Sequence, residues 1–312
     1  MVMKYTPYLK PFQTPEQIAN KLISDGLIID DINFAINILS KINYFRFKIY
    51  LRPFLNLETK KFKPNTTFEK AYAIYCFDEE LRNLLFMQIS QIEIILRTIL
   101  DQEISKFTNN PFWYLDNDLF DNYIKIDSIR TTLRNEFQRS KDQYALHYKN
   151  KYYNQEHNDF KDMPPFWIIS ELATFGNILS ITNNLKKSLF KQEYNHNILD
   201  SLSKKFGAKN LKELNSWLHL IRDVRNRVAH HSRVWNCNYR EPSGIKSKLD
   251  DEYQPTKSNK IYLLFVILDI LYKNDILIDD IKLSICKLID KYPTIVEYLA
   301  SMGIPKKWIE DE

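Results

Sequence analysis

From the loop and cap at Asn65-Thr66-Thr67 to about Ile104, apolar residues recur without a single Pro or Gly to stop a helix. A stretch this long predicts either one continuous helix or two joined by a kink, and the rest of the fold must bury it. Inside it, Ile92-Glu93-Ile94-Ile95-Leu96-Arg97-Thr98-Ile99-Leu100 sets an acid and a base four residues apart in an aliphatic run. Charges so placed need partners, and this spacing makes each available to the other. Asp78 and Arg82 repeat the spacing one stretch earlier, where a surface pair is expected.

Only five glycines occur in 312 residues, which disfavours Gly-rich phosphate loops and tight hairpins. The expected fold class is all-α. A 44% hydrophobic content supports a sizeable core in one large or two modest domains. Net charge is +5, an excess that carries meaning only where cations cluster. Cys76, Cys237 and Cys286 lie far apart without metal-ligand spacing, so reduced thiols in a cytoplasmic protein are expected, with no metal and no cofactor. The N-terminal residues lack an apolar core of signal-peptide length, and the run Ile261 to Leu271 is interrupted by Asp269 and too short to span a bilayer. No membrane association is expected.

Thr14-Pro15-Glu16-Gln17 reads as a capping box opening a helix to about Ser24, closed by Asp25-Gly26. Asp30 or Asp31 starts a second, which reaches a basic and aromatic stretch from Lys41 to Lys63. There Arg46, Lys48 and Arg52 interleave with Tyr44, Phe45, Phe47, Tyr50, Phe54 and Phe62 against one acid, Glu58. So many rings usually mark a core. Cations for phosphates and rings for stacking also suit RNA, and both readings hold if only the cations reach it.

Further on, helices are expected over roughly 67 to 105, 127 to 147, 166 to 185 and 210 to 235, with Gly176 at a close helix crossing. Residues 1–65 would be a helical, basic-aromatic flank, 66–240 a helical bundle, and 241–312 a helical extension beginning near Pro242-Ser243-Gly244.

The helix from about Asn210 carries Leu214, Trp217, Leu218, Ile221, Val224 and Val228 at spacings of three and four. At 100° per residue, Arg222, Asn226, His230 and Arg233 fall within roughly 80° of one another on the opposite side. Two guanidinium groups, an amide and an imidazole suit a phosphodiester: Arg matches phosphate oxygens with a planar fork, and His gives or takes a proton near neutrality. Arg225 lies at the edge of the apolar stripe and is a candidate phosphate clamp. His147, His157, His196 and His219 lack such neighbours and are read as structural.

Arg225-Asn226-Arg227-Val228-Ala229-His230 resembles the Arg-x4-His signature of the HEPN superfamily, and the longer run RNRVAHHSRVWN resembles the Abi-like (abortive infection, AbiD/AbiF-type) family. Asn43-Tyr44-Phe45-Arg46, Tyr75-Cys76-Phe77-Asp78 with Leu81-Arg82, Ile92-Glu93 with Arg97, and Phe166-Trp167 with Glu171 are similar to the same family in the same order. The resemblance covers about residues 8 to 240. It implies a HEPN-like bundle and a metal-independent endoribonuclease in which Arg225, Asn226 and His230 are catalytic. Glu93, with Arg97, would then orient His230 or hold Arg225, and Arg222 and Arg233 would contact RNA. It further implies a homodimer pairing two such motifs, a role in phage defence, and restraint by a small structured antitoxin RNA. A non-catalytic RNA-binding regulator using the same face is the alternative. A helical scaffold acting through residues 258–301 is a third reading.

Overall fold

The computed structural model describes residues 5–6, 8–155, 157, 159–191, 197–277 and 279–311. Among them the only regular elements are α- and 3-10 helices, with isolated β-bridges and no strand, so the chain is all-α. It folds as two compact units, one drawn from Met1–Glu80 and Ile289–Glu297, the other from Leu81–Leu288 and Tyr298–Glu312.

In the first unit, Thr14 and Gln17 form the expected capping box on α1 (Pro15–Ser24). Gly26, at φ 93°, makes the left-handed turn that ends it. Asp31, rather than Asp30, caps α2 (Ile32–Lys41), accepting from the Asn33 and Phe34 N–H groups, and α1 packs on α2. Asn43 then caps α3 (Tyr44–Leu51). The basic-aromatic stretch divides here: Phe47, Tyr50 and Phe54 are buried, while Phe45 and the three cations Arg46, Lys48 and Arg52 are exposed. The inward rings meet rings of the long helix, with Phe47 and Phe68 centroids 4.9 Å apart and Tyr50 and Tyr75 5.2 Å apart.

That long helix, α4 (Phe68–Thr108), is continuous over 41 residues. By length and composition it is apolar enough to cross a membrane. Its stripe of Phe68, Ile74, Leu81, Leu85, Ile92, Leu96 and Leu100 is fully buried in the protein. The four-residue rhythm of the stripe also takes in positions 78 and 82. Asp78 and Arg82 are therefore buried, correcting the surface pair expected of them. Asp78 accepts a 2.7 Å hydrogen bond from the Tyr50 hydroxyl.

In the second unit two expected helices are each broken. The 127–147 segment becomes α5 (Tyr123–Arg139) and α6 (Gln143–Lys151), because the Ser140 hydroxyl donates to the Asp142 carboxylate and accepts from the Asp142 N–H. The 166–185 segment becomes α7 (Phe166–Leu172) and α8 (Phe175–Asn184), where the Thr174 hydroxyl caps the new helix at the Asn177 N–H. Gly176 is not at a close crossing: a Cβ there would meet only the Thr174 hydroxyl, at 3.7 Å. After α9 (Ile198–Lys205), α10 (Leu211–Ala229) packs on α8, α9 and α11 (Tyr262–Lys273), and so lies at the centre of this unit.

A buried hydroxyl bonded to a carboxylate should be coupled to it by about 2 kcal/mol. We expect Tyr50→Phe and Asp78→Asn each to lower stability in urea, and the double variant to cost about 2 kcal/mol less than the sum. Simple additivity would show that this bond does not hold the aromatic core to α4.

Candidate functional site

Glu93 lies on α4 next to fully buried Ile92, and is itself only 9% exposed. Its Oε1 accepts from the Arg225 Nε of α10 at 2.8 Å, and its Oε2 lies 3.7 Å from the Arg97 guanidinium. Arg97 also donates to the Ala173 carbonyl at 2.9 Å, an acceptor created by the break between α7 and α8. One carboxylate thus ties three segments together. Glu93 thus bonds to Arg225 through Nε and pairs with Arg97, the partner that its place in the aliphatic run called for.

On α10 the Asn210 side chain caps the first turn, and Leu214, Trp217, Leu218, Ile221, Val224 and Val228 are buried as their spacing predicts. The helix then stops earlier than the expected 235. Its last helical residue is Ala229, and His231 adopts a left-handed conformation at φ 51°. The His231 N–H donates to Val228 O at 2.9 Å and the Ser232 N–H to Arg227 O at 2.7 Å, the paired bonds of a Schellman stop. Arg233 is therefore off the helix face on which it was expected. It sits half-buried, and its buried Nε has no hydrogen-bond partner among the described residues.

Beyond the stop the chain folds back, burying Val234 and Trp235 completely. The Tyr239 hydroxyl donates to Val234 O at 3.1 Å and its N–H to Asn259 O at 2.9 Å, while Lys260 donates to Asn236 O at 3.0 Å. This return encloses an open cleft of about 380 Å³ against the end of α10. Asp223, Asn226, Arg227 and His230 line it from the helix, and Ser232, Asn238, Tyr239 and Arg240 from the returning chain.

Asn226 and His230 are thereby brought together, as predicted. Arg225 is not among the lining residues and belongs to the Glu93 cluster; Arg222 is engaged with Asp223 at 2.9 Å. The cations of the cleft are Arg227 and Arg240, neither of which was picked out as a site residue. The Arg227 guanidinium lies 5.5 Å from the centre of the Tyr239 ring and donates to the Cys237 sulfur at 3.4 Å, contacts that fix its plane. A signal for Arg227 was available, since it stands three residues before His230, within one helical turn. Arg240 is placed by the fold-back alone.

The remaining histidines have structural contacts. His219 lies 3.2 Å from Asn183, and burial, with Arg222 nearby, pushes its pKa down. His157 accepts from the Phe160 N–H, and the His147 ring lies beside Tyr152. His196 lies outside the described residues. Among the described residues no three His, Cys, Asp or Glu side chains are grouped to hold a metal ion.

A Cβ in the left-handed region costs about 1 kcal/mol, so His231→Gly should raise stability by about that amount in urea denaturation. Glu93→Ala strips a partly buried carboxylate from two guanidinium groups and should cost about 2 to 3 kcal/mol. A neutral result for Glu93→Ala would mean that water already satisfies Arg225 and Arg97.

Searches of curated proteins and of solved structures gave no match. The family model described as Abi-like protein matches residues 37–236, running from within α2 through the Schellman stop to the start of the fold-back. It covers well over half of the 312 residues, and the chain belongs to the Abi-like protein family.

Proposed function

We propose that this protein is a HEPN-type endoribonuclease of abortive infection, cleaving RNA without a metal ion and restrained in the uninfected cell by a small structured RNA. The observation that carries the reading is the cleft at the end of α10, where the exposed His230 imidazole and the Asn226 amide stand with Arg227 and Arg240. Membership of the Abi-like family supports a part in phage defence.

In the proposed reaction the ribose 2′-oxygen attacks the adjacent phosphorus as a base takes its proton. The bond from phosphorus to the 5′-oxygen breaks, and an acid protonates the departing oxygen. Guanidinium groups neutralise the charge growing on the non-bridging oxygens. The products are a 2′,3′-cyclic phosphate and a 5′-hydroxyl. DNA lacks the attacking hydroxyl and survives.

The reaction uses a base and an acid, whereas the motif supplies one imidazole per chain. The proposal therefore includes a homodimer in which Arg225, Asn226 and His230 of both protomers face a shared cleft, so that one imidazole accepts while the other donates. Arg222 and Arg233 are assigned to the RNA backbone beside it. One observation favours the alternative of a non-catalytic RNA-binding regulator: Arg225, the motif's own cation, is bonded to Glu93 and not among the residues lining the His230 cleft.

The test uses wild-type protein and His230→Ala, freed of co-purifying RNA and incubated with a mixed RNA pool and matched single-stranded DNA in excess EDTA. We expect RNA cleavage alone, with cyclic phosphate ends, falling by about 10²- to 10⁴-fold in the variant. Tight RNA binding by a wild-type protein that leaves every strand intact would favour the regulator.

A further inference from the structure

The first unit holds a groove of about 680 Å³, far from polar in its lining, between the end of α1, the outer face of α3 and the loop that follows. Its floor is aliphatic, with Leu22 and Leu51 nearly fully buried. Three rings border it: Tyr44, Phe45 and Phe62. Phe45 is 87% exposed, and leaving a phenylalanine ring in water forgoes about 1.5 to 3 kcal/mol of burial. A ring held out on a rigid helix beside an open groove is a platform looking for a partner.

The charges around that platform are mostly positive. Lys21, Lys48, Arg52 and Lys60 line the groove, and among the described residues none of them is in an ion pair. Its acid, Asp25, is engaged by Lys61 at 3.0 Å. The loop that closes the groove is held in place. Lys61 also donates to Ser24 O, Lys63 to Pro53 O, and the backbones of Asn56 and Lys61 pair. Lys60 itself sits in the left-handed region at φ 58°, where Gly or Asn would be less strained. Strain kept at an exposed cation points to use of that side chain.

From these observations we infer that the groove binds single-stranded nucleic acid, with bases stacked on Phe45 and its neighbouring rings and phosphates on Lys48, Arg52 and Lys60. Rings for any base and cations for any backbone are the combination by which sequence-tolerant strands are held. The volume argues for the same occupant. It leaves room for one or two nucleotides. The groove is distinct from the cleft at the end of α10, and its binding does not depend on cleavage there. It gives a strand a sugar-indifferent point of attachment on the first unit.

The experiment uses the full chain carrying His230→Ala, so that the probe survives whether or not the wild-type protein cuts. A short bromouridine-substituted RNA and its single-stranded DNA counterpart are crosslinked by ultraviolet light, the attached peptides are identified by mass spectrometry, and affinity is followed by anisotropy across a salt series. Expected are crosslinks at Tyr44, Phe45 or Phe62 with both sugars. Phe45→Ala should weaken both probes about tenfold, and Lys48→Glu should reduce the steepness of the salt dependence by about one phosphate contact. Lys141→Glu, an exposed cation elsewhere, should change neither. Crosslinks confined to other peptides would overturn the inference, as would unchanged affinity in Phe45→Ala. So would Phe45-dependent binding of an acidic amphipathic peptide by a protein that ignores both nucleic acids. Failure of cleavage in the wild-type protein leaves all of these readouts intact.

Discussion

The carboxylate of Glu93 is the constraint on which the second unit turns. A charge set in the aliphatic run of α4 cannot be buried alone, because desolvating it costs several kcal/mol unless cations and hydrogen bonds replace the lost water. Arg97, one turn along the same helix, is near enough to help, and Arg225 on α10 completes the set at 2.8 Å. Such a cluster adds little net stability compared with an apolar replacement of the same shape. Its value lies in specificity, since sliding α10 by one residue against α4 would leave a buried charge unpartnered. The register of α10 is thus fixed by this ion pair together with its packing on α8, α9 and α11.

What that end presents depends on a second local decision, the stop after Ala229. Had α10 run on to 235, the segment carrying Ser232 and Arg233 would have continued along the axis into solvent. Instead the left-handed His231 turns the chain, and burial of Val234 and Trp235 holds the return. A helix face alone offers a convex surface; the fold-back makes it concave, and a concave polar surface is what a phosphodiester can occupy. His231 carries a Cβ where glycine would be easier, which is the kind of strain tolerated when a side chain is wanted at a turn.

Much of this was legible from residue order. The capping box at Thr14, the helical character of the long α4 run and the buried stripe of α10 are each encoded in local residue order, so periodicity and capping find them, though not whether α4 is kinked. That Glu93 needs a partner was accessible by a different argument, since a charge in an apolar run must be paired, and the spacing pointed to Arg97; its hold on Arg225 was one of two roles that the family resemblance implied. The misreadings share a cause. The breaks at Ser140 and Ala173, and the stop at His231, are made by side-chain and turn hydrogen bonds that compete with the helix without altering its apolar rhythm. Asp78 and Arg82 were misjudged because charge was taken for exposure, while their spacing on the α4 stripe already placed them inward. Arg240 was beyond reach, since no local pattern says where a chain returns after a turn.

The arginines around the motif show why a signature and a site are not the same object. Arg225 is committed to Glu93, Arg222 to Asp223, and Arg233 has left the helix, so three cations of one short stretch have different surroundings. Arg227 is the one whose plane is fixed by a ring and a thiol while it faces the cleft, and a fixed guanidinium loses less entropy on meeting phosphate than a free one. Within one protomer, then, the signature's first residue secures the helix and its neighbour two positions on faces the cleft. For Arg225 to act on the same phosphate as His230, its terminal nitrogens would have to face a cleft other than the one its own chain encloses. In the homodimer proposed above, a second copy of α10 would meet that requirement without breaking the bond to Glu93, and the use of two imidazoles in the proposed reaction calls for the same arrangement.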